Sequence, residues 1–135
     1  MIVIDTNILV YFHIQGDFTE KATEAYQKDG EWAAPYLWRS EFRNTLLLYL
    51  RKTLLNLPHL MQLTRSAEDM MSGREFHVVS DVVYRLTNES DCTAYDCEFV
   101  ALAQDLGVSL VTVDKKILAA FPNTAVSLNQ FVNHV

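Results

Sequence analysis

Hydrophobic positions along this chain follow two rhythms. Short, dense apolar runs alternate with longer stretches in which apolar residues recur at helical spacing. Ile2–Ile4 reads as a buried strand, after which Thr6 or Asn7 could cap a helix through Phe12. A second helix spans Phe18–Lys28 and closes at Asp29-Gly30. Trp32–Pro35 reads as a short strand ended by its proline. Leu37–Lys52 is a helix with Leu37, Glu41, Thr45 and Leu48 on or near one stripe. Pro58 suits the first turn of the next helix, which Gly73 ends. Phe76–Val79 is a short strand, and Ser80 or Asp81 caps a helix toward Thr87. Thr93–Leu106 is a helix stopped by Gly107. Val108–Val113 is a β-rich strand, Lys115–Ala120 a short helix, and Ala125–Leu128 a last strand.

Strands alternating with helices predict an α/β fold, with a mostly parallel central sheet and helices on both faces. The length of 135 residues fits a single domain over 1–135. Half the residues are hydrophobic, enough for a core without covalent staples. No apolar run approaches the roughly 20 residues that span a bilayer. The N-terminus lacks the basic region and cleavage site of a signal peptide. The expected location is therefore the cytoplasm, with no membrane partner.

In such a sheet, ligands bind beyond the carboxyl ends of the strands. Polar residues immediately after strands are thus the candidates for chemistry. Asp5 follows Ile2–Ile4, and Asp114 follows the strand ending in Thr112-Val113. Two further acids sit on helices that can face the same edge. Glu41 lies on or beside an inward-packing stripe, and Asp96 shares a helical face with Phe99, Val100 and Ala103. Each acid also has a local explanation. Asp5 can cap the first helix, Asp96 can complete a capping box with Thr93, and Asp114 can favour the start of the Lys115 helix. Glu41 can pair with Arg39, Arg43 or Arg51. These local roles do not explain why four acids fall where one sheet edge would collect them. Two unit charges ~4 Å apart repel by about 4 kcal/mol at an effective dielectric near 20. A hard divalent cation relieves that repulsion, and Mg²⁺ needs only one or two carboxylates when it keeps its waters.

The remaining chemistry-bearing residues narrow the choices. Cys92 and Cys97 fit neither a C-x-x-C redox motif nor a zinc knuckle, and read as packing residues. His13, His59, His77 and His134 show no paired metal-ligand spacing. The net charge of −6 argues against broad, non-specific nucleic-acid binding. Charge is nevertheless segregated. Leu37–Arg65 holds Arg39, Arg43, Arg51, Lys52 and Arg65 against one acid, whereas Asp81–Asp105 holds six acids against Arg85.

With the acids placed, IVIDTNILV, WRSEFRNTL and CTAYDCEFVALAQDLGVSLVTVD together resemble a PIN-domain ribonuclease. More narrowly, the chain is similar to the VapC-type toxins of toxin–antitoxin pairs. The resemblance implies that Asp5, Glu41, Asp96 and Asp114 form an acidic site for one or two Mg²⁺ or Mn²⁺ ions. Asp5 and Asp96 are then the principal ligands. It also implies that Thr6, Asn7 and Thr112 hold those carboxylates and their waters in place. Asp91 adds an acid that the motif does not require. The implied reaction is hydrolysis of RNA to 3′-hydroxyl and 5′-phosphate ends. Arg39, Arg43, Arg51 and Lys52 are candidates for holding the RNA backbone. The resemblance further implies a homodimer and a cognate antitoxin protein. The aliphatic excess at Leu46, Leu47, Leu48, Leu50, Leu54, Leu55 and Leu57 could serve either interface.

Two other readings compete. One is a catalytically silent PIN-like module that binds RNA or protein. The other is a metal-dependent phosphatase or a receiver-like domain, which also carries acids at parallel strand ends. A phosphatase of that kind needs an early D-x-D-x-T motif, but Asp5 is followed by Thr6 and Asn7.

Overall fold

The structure is a computed structural model describing residues 1–133; His134 lies outside them. Five strands form one sheet: β1 (Ile2–Ile4), β2 (Trp32–Pro35), β3 (Glu75–Phe76), β4 (Leu110–Thr112) and β5 (Ala125–Ser127). Their order across the sheet is β3-β2-β1-β4-β5, and every pairing is parallel. Among the described residues there are eight helices: α1 (Thr6–His13), α2 (Thr19–Lys28), α3 (Leu37–Arg51), α4 (Leu57–Met71), α5 (Ser80–Asn88), α6 (Ala94–Leu106), α7 (Lys115–Ala120) and α8 (Leu128–Asn133).

Successive strand residues point to opposite faces of a sheet. Val3 and Ile4, Ala33 and Ala34, and Leu110 and Val111 are all fully buried, so both faces of the central strands are covered. Helices α1, α2, α3, α4 and α8 interlock through mutual contacts, and α5 and α6 form a separate pair. Helix α6 lies along β1, β2 and β4, with Phe99, Val100 and Ala103 in the core. Its ends follow from sequence. The Thr93 side chain accepts from the Asp96 N–H while Asp96 accepts from the Thr93 N–H, and Gly107 closes the helix at φ 67°.

Several expected boundaries move. Neither Thr6 nor Asn7 caps α1: the helix starts at Thr6, with Asp5 in the capping position and no side-chain cap bond. Ser80 and Asp81 lie within α5, and Val79 stands at its N-cap. The third strand is Glu75–Phe76 rather than Phe76–Val79, because beyond Phe76 this edge strand has no partner to continue its pairing with β2. The last strand ends at Ser127. Leu128 instead begins α8, whose one turn and a half carries too few apolar positions to show a helical period.

Candidate active site

An all-parallel sheet delivers the carboxyl ends of its strands to one edge. Asp5 follows β1 directly, Thr112 ends β4, and Asp114 stands two residues beyond it. The fold brings β1 and β4 side by side, so residues more than a hundred positions apart meet. The Thr112 hydroxyl donates to Asp5 Oδ2 at 2.7 Å and accepts from the Asp114 backbone N–H at 3.0 Å. Thr112 is fully buried. It therefore fixes one carboxylate and the backbone of another with a single side chain.

Glu41 reaches the same place from α3. The buried face of that helix is Trp38, Phe42 and Leu46, so Glu41 borders the core instead of entering it. Its Oε1 accepts from the Thr6 hydroxyl at 2.7 Å. Thr6 is buried in the first turn of α1, beside Asp5. The two hydroxyls thus hold the two partly buried carboxylates from β4 and α1. Asn7 is exposed and has no such bond.

The local roles of Asp96 and Asp114 are also present. Asp96 completes the α6 capping box through Oδ2. Asp114 Oδ1 accepts from the N–H groups of Lys116 and Ile117, at 2.8 and 3.1 Å, and caps α7. In each case the capping bonds involve one carboxylate oxygen. Asp5 differs: its carboxylate accepts from the Thr112 hydroxyl, and it makes no N-cap bond to the second or third residue of α1.

Electrostatics link the four acids. Burial pushes the Asp5 carboxyl above the usual carboxylate range. The Thr112 hydroxyl and the Thr6 N–H oppose that shift, while the charges of Asp114 and Asp96 add to it. Glu41 is likewise raised, first by burial and then by Asp5, Asp96 and Glu98, against the Thr6 hydroxyl. Glu98 is the residue that sequence reasoning missed. It stands two positions beyond Asp96, about 200° around the helix, so no periodic stripe groups the two acids.

The candidate cations are placed differently. Arg39 is bonded to Glu75 through Nε at 2.6 Å and Nη2 at 2.8 Å, and its Nη1 lies 3.3 Å from Glu68. Trp38 Nε1 donates to the same Glu75, so Arg39 ties α3 to the edge strand β3 and its donors are occupied. Arg43 pairs at 3.8 Å with Glu68. Arg51 and Lys52 are exposed at the end of α3. Asp91 is exposed in the loop before α6, and Cys92 and Cys97 are buried packing residues.

Among the described residues, no three acidic, histidine or cysteine side chains converge closely enough to hold an ion directly. The donor set nevertheless suits a hard cation, being carboxylate oxygen with raised, mutually repelling charges. Mg²⁺ keeps several waters and needs few direct ligands, so this spacing fits an ion bound largely through water. No helix among the described residues is long and apolar enough to cross a membrane.

The fold and site define an α/β protein with linked carboxylates at the carboxyl edge of an all-parallel sheet. The chain belongs to the PIN domain family, whose sequence profile matches residues 2–122. It is 23% identical to ribonuclease VapC3 of Pyrobaculum aerophilum over 124 residues, covering 90% of this chain and 95% of that protein. Its fold is similar to one in a toxin–antitoxin complex from Klebsiella pneumoniae, with a TM-score of 0.73 and 21% identity over 95% of this chain and 98% of that one. It also resembles FitAcB from Neisseria gonorrhoeae, with a TM-score of 0.76 and 16% identity over the full length of both chains.

Proposed function

We propose that this chain is a divalent-metal-dependent endoribonuclease and the toxin of a toxin–antitoxin pair. The observation that carries the reading is the Asp5–Thr112 and Glu41–Thr6 arrangement, in which two partly buried carboxylates are positioned by hydroxyls at one sheet edge. A capping or packing role gives no reason to bury them among further acids. Asp5, Glu41, Asp96 and Asp114 would hold one or two Mg²⁺ or Mn²⁺ ions. Thr6 and Thr112 orient the carboxylates, and Asn7 flanks them. A bound ion would supply a polarised water and offset charge on the phosphodiester. Asp5, Glu41, Asp96 and Asp114 would hold the ion and orient the attacking water, the expected products being 3′-hydroxyl and 5′-phosphate ends. The similarity to a named ribonuclease over nearly the whole chain supports the RNA substrate. The toxin–antitoxin structural neighbour supports a protein partner.

Leu48, Leu54 and Leu57 are exposed around the end of α3 and the start of α4. They give an antitoxin or a second copy of the chain an apolar surface to cover, and Arg51 and Lys52 lie beside them. One observation favours the catalytically silent reading: no three of the acids stand close enough to grip an ion without water. An RNA digest separates the two. Parent protein with Mg²⁺ or Mn²⁺ is expected to cut RNA, chelator to stop it, and Asp5→Asn or Asp96→Asn to abolish it. Metal-independent cutting, or full activity in a purified Asp5→Asn variant, overturns the proposal.

A further inference from the structure

The same sheet edge carries more than the acids. Tyr36 follows β2, His77 follows β3, and the Tyr36 N–H donates to the Phe76 carbonyl across that pair. Neighbouring strands lie about 5 Å apart. Tyr36 and His77 therefore stand one and two strands to the side of Asp5, along the edge that collects the carboxylates. Their rings are 4.7 Å apart, tilted by 35°, and Tyr36 remains 43% exposed. Together with Phe76, Ser80, Val83 and Glu98 they line a cleft of about 290 Å³. Glu98 lies two residues after Asp96 on α6, and Tyr36 immediately precedes α3, which carries Glu41, so the cleft is lined from the same elements that carry the acids. Among the described residues, the side chains of Glu98, His77 and Ser80 have no hydrogen-bond partner.

We infer that this cleft holds one unpaired nucleobase of the RNA substrate, stacked on Tyr36 and His77 and read by Glu98. The inference rests on the ribonuclease reading and deepens it. Single-stranded RNA is recognised by bases splayed onto aromatic rings and hydrogen-bonded along their pairing edges. A phosphate is an unsuitable occupant, because among the described residues the cleft is lined by a carboxylate and by no lysine or arginine. An ionised carboxylate only accepts hydrogen bonds. Guanine offers two adjacent donors, N1–H and the N2 amino group, which match the two oxygens of Glu98. Uracil offers one N–H between two carbonyls, which a carboxylate repels. The cleft therefore favours guanine and rejects uracil.

The test is cut-site mapping. The full chain digests a random-sequence RNA pool in Mg²⁺, and the bases around each cut are counted. Guanine is expected to be enriched over uracil at one fixed position near the cut, by roughly five- to hundredfold for a bidentate contact. Glu98→Gln is expected to flatten that preference, and Tyr36→Ala to weaken selection at the same position. Tyr36→Phe, which keeps the ring, should retain it. A thermal melt confirms that each variant is folded. Cutting by the parent without positional enrichment overturns the cleft and leaves the ribonuclease reading standing. So does an enrichment that survives both substitutions. Loss of all cutting in folded Glu98→Gln places that residue with the acid cluster and overturns its role as base reader. A parent that cuts no RNA overturns both readings.

Discussion

Asp5 is the residue whose role the structure sharpens most. The sequence offers it as helix cap or pocket acid, and the structure shows its carboxylate accepting from Thr112 with no side-chain capping bond. Asp96 and Asp114 do cap their helices, each through one carboxylate oxygen, and in the proposed function the other oxygen belongs to the acidic site. Burial and neighbouring acids raise the Asp5 and Glu41 carboxyls. A raised folded-state value means that the folded chain binds the proton more tightly than the unfolded chain does. These groups therefore favour folding least above their raised values, and the cost is relieved as pH falls toward the unfolded carboxylate range near ~4. In chelator, Asp5→Asn is expected to melt at or above the parent at neutral pH. That gap should narrow as the pH falls. Thermal melts from about pH 4.5 to 8 check the sign. A variant that melts far below the parent at neutral pH would make the carboxylate a structural acceptor for Thr112.

At the scale of elements, α6 carries the most information. Its capping box, its glycine stop and its buried Phe99–Val100–Ala103 run are all readable from local rules, and all appear in the structure. The same helix presents Asp96 to the acid cluster and Glu98 to the adjoining cleft. Thr93→Ala removes one bond of the box. It should cost about 1 kcal/mol, roughly 4 °C in the melting temperature of a domain this size. It should also loosen the Asp96 carboxylate, so RNA cutting is expected to fall further than the small stability loss explains. Comparing melting temperature with cutting rate in the same preparation tests that coupling. Elements with little local signal were misplaced. The edge strand β3 has only two residues, and α8 starts inside the expected last strand. In both cases tertiary pairing sets the boundary, not an apolar period.

For the molecule as a whole, the strand order β3-β2-β1-β4-β5 places Asp5 and Thr112 in contact. The candidate site, drawn from β1, α3, α6 and the β4–α7 junction, is assembled only in the folded chain. Any ion that binds it must therefore stabilise folding by mass action, by about 2.7 kcal/mol at a hundredfold excess over its dissociation constant. Mg²⁺ or Mn²⁺ is expected to raise the melting temperature of the parent and to leave that of Asp96→Asn nearly unchanged. An equal rise in both would point to an ion bound elsewhere.

The sequence by itself determined the α/β class, the central strands and the long helices, and it marked the four acids as candidates, because apolar periodicity and the position after a strand or on a helix face are local properties. Its local rules also supplied the caps of α6. What only the tertiary structure decided is which groups meet. Thr112 and Thr6 act on Asp5 and Glu41 because parallel pairing and helix packing join distant segments. Arg39 pairs with Glu75, 36 positions away in sequence, and not with its helix neighbour Glu41. Glu98 and Tyr36 are brought to one cleft only by the fold. Contacts between distant segments leave no period in the chain, and hydrogen-bond partners and buried charges are set by those contacts.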